Sequence, residues 1–173
     1  MRILVIADTH FGHRSLAEEY QSRPPDFENK IIRNWQKMVS KDDLVVHLGD
    51  VVVGKATDWS SAIPSLPRRK VLVIGNHDKK TLSWYMANGF DFCCLDFFWE
   101  IFGLKVLFTH EPKNIGLFDL NIHGHLHLGR HREYECDERH YLFAMEKTSY
   151  QPRPLKSIVE EWKQSNKSTI VDV

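Results

Sequence analysis

The sequence predicts an α/β protein in which short aliphatic strands alternate with amphipathic helices. Residues 3–7, 44–48 and 71–74 are almost unbroken aliphatic runs, the pattern of parallel strands covered on both faces. Between the first two, Ile31, Ile32, Trp35, Met38 and Val39 recur at helical spacing over about residues 28–40, and that stripe is core packing. Each aliphatic run also stops abruptly at polar residues of one chemical kind.

Taken in order, the first strand ends at Asp8-Thr9-His10-Phe11-Gly12-His13. Residues 14–27 read as polar and irregular, closing at Arg23-Pro24-Pro25, and the helix of 28–40 follows. The second strand, 44–48, ends at Gly49-Asp50. A short helix is expected around 57–66, bounded by Pro64 and Pro67. The third strand, 71–74, ends at Gly75-Asn76-His77-Asp78, and a helix over about 80–87 stops at Asn88-Gly89, glycine being a common helix terminator. Residues 90–94 and 97–102 read as an aromatic strand pair, and 104–108 as a strand ending at Thr109-His110. Residues 120–122 lead into His123-Gly124-His125-Leu126-His127. Residues 130–135 and 140–145 could form a hairpin around Cys136. A last helix starts near Pro154, with Leu155, Ile158, Val159 and Trp162 on one face, and residues 165–173 are expected to lie along an edge or fray.

Composition bounds the function. A chain of 173 residues suffices for one domain with a full core, over residues 1–173 and without length for a capping domain. Lys+Arg and Asp+Glu both number 23, so the formal charge is zero with neutral histidine. That balance disfavours an extended nucleic-acid surface, the short basic clusters at 68–70, 79–80 and 130–132 notwithstanding. Three cysteines, two of them adjacent (Cys93, Cys94), cannot close a disulfide framework. Cys136 is left as an outlying metal candidate. The first residues are too short for a signal sequence and no apolar stretch approaches membrane-spanning length, so a cytoplasmic protein is expected.

Ten histidines are the compositional oddity. Five strand ends finish in metal-competent residues: Asp8 and His10, Asp50, Asn76 and His77, His110, then His125 and His127. Any one of them reads equally as a turn or helix cap, since Gly, Asn and Asp are ordinary turn formers. Taken together they point to one site, because strand ends of an α/β sheet collect along the edge where such folds bind ligands. Residues two apart in an extended segment face the same way, so Asp8 and His10 can reach a common point. A structural zinc site would favour clustered cysteines. Carboxylate, amide and imidazole donors dispersed over roughly 120 residues, more than one tetrahedral ion needs, favour a catalytic pair of ions instead.

Asp8-x-His10, Gly49-Asp50, Gly75-Asn76-His77-Asp78, His110 and Gly124-His125-x-His127 resemble, in order, the motifs of the calcineurin-like metallophosphoesterases. The tail Glu146-Lys147-Thr148-Ser149-Tyr150-Gln151-Pro152 resembles that of small bacterial and phage members. The resemblance implies a two-sheet mixed β-sandwich flanked by helices. It implies one ion on Asp8, His10 and His127, a second on Asn76, His110 and His125, and Asp50 bridging them. Manganese is the expected metal, with Fe, Zn, Ni or Mg as alternatives. Catalytic roles fall to His77, near the phosphoryl group or leaving oxygen, and to Asp78, orienting His77. The implied reaction is in-line attack of a metal-bound hydroxide on a phosphate ester, a diester by preference, with nucleotides among the candidate substrates. Monoester or protein phosphatase activity, or a weakly active scaffold like the retromer subunit of this fold, are the alternatives. Relatives often carry an arginine shortly after the bridging aspartate, where this chain has Val51-Val52-Val53-Gly54. Because phosphate needs a cation, His13 and Arg23 are expected to contact substrate together with Asn76.

Overall fold

The computed structural model describes residues 1–20, 22–53, 62–66, 69–129 and 134–168. Along the chain run β1 (Ile3–Ile6), α1 (Ser15–Glu18), α2 (Phe27–Met38), β2 (Leu44–His47), α3 (Ala62–Ser65), β3 (Arg69–Val73) and α4 (Leu82–Ala87). They are followed by β4 (Phe92–Cys94), β5 (Phe97–Ile101), β6 (Leu104–Phe108), β7 (Leu120–His123), β8 (His140–Leu142), β9 (Arg153–Pro154) and α5 (Leu155–Ser168).

The three aliphatic runs become β1, β2 and β3. They pair in parallel, with Ile3 opposite Leu44 and Leu44 opposite Arg69. β4 extends this sheet in parallel and β9 closes its other side antiparallel to β1, giving the order β4-β3-β2-β1-β9. The second sheet has the order β5-β6-β7-β8, antiparallel between β5 and β6 and parallel thereafter. Both sheets are therefore mixed, and helices flank them.

The core forms where apolar faces meet. α2 buries Phe27, Ile31 and Trp35, one helical turn apart. α5 lies along β1 and β9 and buries Leu155, Ile158 and Val159. Leu4, Val5, Ile6, Val46 and Val73 of the first sheet join Val106, Phe108, Leu120 and Ile122 of the second in one apolar cluster. Phe97 stacks on Phe108 with ring centroids 4.8 Å apart. Among the described residues, no helix is long and apolar enough to cross a membrane.

Several local expectations are corrected. Residues 90–94 and 97–102 do not pair with each other: β4 joins β3, while β5 joins β6 in the other sheet. The reason is the tight turn at Phe102 and Gly103, both at positive φ, which folds β5 onto its successor. Of the hairpin expected around Cys136, residues 130–133 of the first arm lie outside the described residues, and in the second arm His140–Leu142 pairs in parallel with β7. Residues 14–27 are not wholly irregular, since they contain α1. Of the helix expected at 57–66, residues 57–61 lie outside the described residues and Ala62–Ser65 is helical. The stretch beyond 168 is likewise outside them, and α5 runs to Ser168.

One buried carboxylate fixes where β1 and β2 begin. Asp43 accepts hydrogen bonds from the Arg2 backbone N–H at 2.9 Å, from Arg2 Nη2 at 2.6 Å and from the Ser40 N–H and hydroxyl at 2.8 and 2.9 Å. Chiefly through the Arg2 hydrogen bond, its carboxyl is held well below the usual carboxylate range. A depressed folded-state pKa means that unfolding takes up a proton once the pH nears the ordinary aspartate value of about 4. The contribution is therefore present above that pH and lost below it. Urea unfolding between pH 7 and pH 3 should show Asp43→Asn to be less stable at neutral pH and to have a shallower acid limb than wild type. Parallel limbs would remove Asp43 from the acid sensitivity.

Candidate metal centre

Beyond the sheets the strands keep running side by side as hydrogen-bonded loops. Asp8 N–H donates to Gly49 O at 3.0 Å, His10 N–H to Asp50 O at 2.9 Å and Gly124 N–H to His110 O at 3.0 Å. His77 N–H donates to Asp50 Oδ1 at 2.8 Å, and His125 N–H to Asp8 Oδ2 at 3.1 Å. To turn side chains inward from this lattice, Asp8, His10, Asp50, His125 and His127 take φ values of +51°, +48°, +57°, +68° and +49°. That left-handed region is uncommon for non-glycine residues, Asp and His being among the types enriched there. Such conformations cost of order 1–3 kcal/mol each and persist where the surroundings over-determine them. Gly124 is needed for a different reason: a Cβ there would lie 2.5 Å from Asp8 Oδ2 and 2.9 Å from the Ala7 Cβ.

The side chains gather in two adjacent groups. Asp8, His10 and His127 each bring one donor atom within 4.8 Å of the others, and Asp50, His110 and His125 do the same. Asp50 lies between the groups: its Oδ2 is 3.6 Å from His10 Nε2 and 3.5 Å from His110 Nε2. Asn76 Oδ1 completes the second group at 2.8 Å from His110 Nε2 and 3.0 Å from His125 Nδ1. All seven donors expected from the sequence are thus brought together.

These donors suit divalent cations. His10 Nε2 is buried and has no hydrogen-bond partner. His110 Nδ1 donates to Leu48 O at 2.7 Å, so its Nε2 is a bare lone pair facing the Asn76 oxygen, with His125 Nδ1 3.2 Å away. The facing lone pairs of His110 Nε2 and Asn76 Oδ1 would be satisfied by a shared cation. Burial, with the Asp50 charge adding, pushes the Asp8 carboxyl up to about 8, and burial raises Asp50 as well. Burial holds His10 well below, and His110 below, the ordinary histidine value. The pocket therefore resists bare negative charge and keeps those two imidazoles neutral, as ligands must be. Carboxylate, amide and imidazole together match borderline first-row divalent metals.

The remaining expected residues divide. His77 is exposed at the rim, its ring centroid 5.5 Å from that of His10 and 6.2 Å from that of His13. His13 is half-buried beside them, with Nδ1 3.4 Å from His10 Nδ1. Asp78 does not orient His77. Its carboxylate is buried under the loops, where it accepts from the N–H groups of Gly75, Asp50 and Val51 at 2.8, 2.8 and 3.0 Å and from the Tyr85 hydroxyl at 3.2 Å. It fastens the Gly75 loop to the Asp50 loop, because those backbone donors have no strand partner there. Arg23 is not presented to substrate either: its side chain is fully buried, with Nε 2.8 Å from Glu146 Oε1 and Nη2 3.2 Å from His127 Nδ1. Glu146 was legible only as part of the tail motif, and nothing in its spacing from His127 pointed to their contact. Tyr134 carried no sequence signal at all, and its ring packs edge-on against His125 at 5.4 Å. Cys136 lies outside both groups, its Sγ 4.0 Å from His123 Nε2.

The close approach at Gly124 makes a test. Gly124→Ala should displace the Asp8 carboxylate and weaken divalent-ion binding by isothermal titration calorimetry. An affinity equal to wild type would mean that the Asp8 position is not set by this contact.

The Metallophos family model, described as calcineurin-like phosphoesterase, matches residues 1–170. An uncharacterized protein of Methanocaldococcus jannaschii is 27% identical over 173 aligned residues, covering 92% of this chain and 90% of that protein. The Gene 66 protein of Mycobacterium phage D29 is 36% identical over 76 residues, which cover 42% of this chain and 38% of the phage protein. Among solved structures, a protein of unknown function from Aquifex aeolicus superposes with a TM-score of 0.75 at 27% identity, over 92% of this chain and 98% of its own. Since the family model takes in both sheets and every donor of the two groups, this chain belongs to the calcineurin-like phosphoesterase family.

Proposed function

We propose that the chain is a metal-dependent phosphoric ester hydrolase that prefers diesters and works with two divalent ions. The observation that carries this reading is the pair of donor groups sharing Asp50 between them. Asp8, His10 and His127 would hold one ion; Asn76, His110 and His125 would hold the other, with Asp50 serving both. Manganese is the ion we favour. When bound, such a pair supplies a water acidified to a pKa of about 7 and a positive field over the phosphoryl oxygens.

The chain's own residues do the rest. His77, exposed at the rim and tethered through its backbone N–H to Asp50, would protonate the departing oxygen. His13 is driven toward its neutral form first by burial and then by the neighbouring His77 and Arg23, and it offers a ring N–H to a phosphoryl oxygen. Two dications would outweigh the charge of the two aspartates and give the site a modest net positive field. A diester carries one negative charge and matches that field. A monoester dianion would call for an extra cation, and the buried Arg23 is already paired with Glu146. A small ester such as a cyclic nucleotide fits this balance.

After loading with Mn²⁺, bis-p-nitrophenyl phosphate and a 2′,3′-cyclic nucleotide should turn over faster than p-nitrophenyl phosphate. Exclusive monoester turnover would reverse the preference, and no turnover with ions bound would favour a scaffold. His77→Ala should keep its ions and lose about 10²–10⁴-fold in kcat. Full turnover in that variant would refute the proton-donor role.

A further inference from the structure

A part-buried contact of the metal centre decides which ring nitrogen His127 offers. His127 Nδ1 faces two groups of opposite demand. Glu146 Oε1, 3.2 Å away, can only accept a hydrogen; Arg23 Nη2, also 3.2 Å away, can only donate one. If Nδ1 carries the hydrogen and gives it to Glu146, Nε2 is left with a free lone pair for an ion. If Nδ1 instead accepts from Arg23, the hydrogen sits on Nε2 and that nitrogen cannot ligate.

We propose that Glu146 is a positioning residue that selects the ion-binding tautomer of His127 against the opposing influence of Arg23. The proposal rests on the two-ion reading of the site. Glu146 is well placed to prevail. The Arg23 Nε at 2.8 Å anchors the same Oε1 that faces His127. The Arg23 guanidinium is itself held by Thr9 O at 3.4 Å and by the Phe27 ring face at 5.2 Å. Glu146 Oε2 is buried with no hydrogen-bond partner, so Oε1 carries every side-chain hydrogen bond of this carboxylate. A carboxylate on the far nitrogen of a ligating histidine is a recurrent way to fix ring orientation, and its loss typically costs 10–100-fold in metal affinity. What is particular here is the guanidinium, which turns removal of the carboxylate into selection of the wrong tautomer.

The test is a mutant cycle read by ion binding rather than turnover. Calorimetric titration with Mn²⁺ should show wild type taking two ions. Glu146→Ala should bind one of them about 10–100-fold more weakly, and Glu146→Gln, which keeps an acceptor oxygen, should stay closer to wild type. Arg23→Ala/Glu146→Ala should recover part of the lost affinity, because the opposing donor has gone. Nitrogen-15 NMR of metal-free protein, at a pH high enough for the ring to carry a single proton, should place the His127 hydrogen on Nδ1 in wild type and on Nε2 in Glu146→Ala. Circular dichroism excludes unfolding of the variants. A double variant no better than Glu146→Ala, or an unchanged tautomer, would overturn the proposal while leaving the two-ion reading intact. Wild type that binds no divalent ion would overturn both.

Discussion

Two aspartates held out of water at the ends of neighbouring strands set the terms for the whole centre. Asp8 and Asp50 are both buried, and isolated carboxylate charge in such surroundings is strongly disfavoured. Protonation or a cation relieves it. The surrounding groups are arranged for the cation: the neutral imidazoles of His10 and His110, an amide oxygen and backbone N–H donors that orient each carboxylate without neutralising it. The fold serves this end by bringing parallel strands from two different sheets to one edge, so that no single loop must supply all the donors.

The geometry of the centre is set largely in the backbone. Five donor residues in the left-handed region point inward because the loops are laced to each other and to Asp78 beneath them. Strain of this kind is tolerated only when neighbours enforce it. The glycines belong to the same design, being absences of side chain where one strand end presses on the next. A pocket braced in this way stays open at fixed spacing, which is what discrimination among metals by size and geometry requires.

Much of this was legible in the sequence, and the reasons are specific. The strands of the first sheet announce themselves because parallel strands covered on both faces must be aliphatic throughout. Asp8, His10, Asp50, Asn76, His110, His125 and His127 could be read as one set because each stands directly after such a run. What stayed hidden depends on tertiary contact. The parting of β4 from β5 could not be read, because two adjacent aromatic strands look like a hairpin whichever sheets they join. Asp78 and Arg23 were misread for a common cause: a charged residue beside a ligand motif suggests chemistry, whereas both point away from solvent and fasten the structure. Glu146 lies nineteen positions beyond His127, and no periodicity connects them.

The order in which the donors occur along the chain has a temporal consequence. The first lies at residue 8 and the last at 127, with Glu146 later still. A polypeptide emerging from the ribosome cannot assemble the pocket from its early portion, however well the first sheet has formed. Assembly of the full donor set therefore waits until the chain has been made past residue 127, and a product truncated before that point would carry the early donors without the later ones.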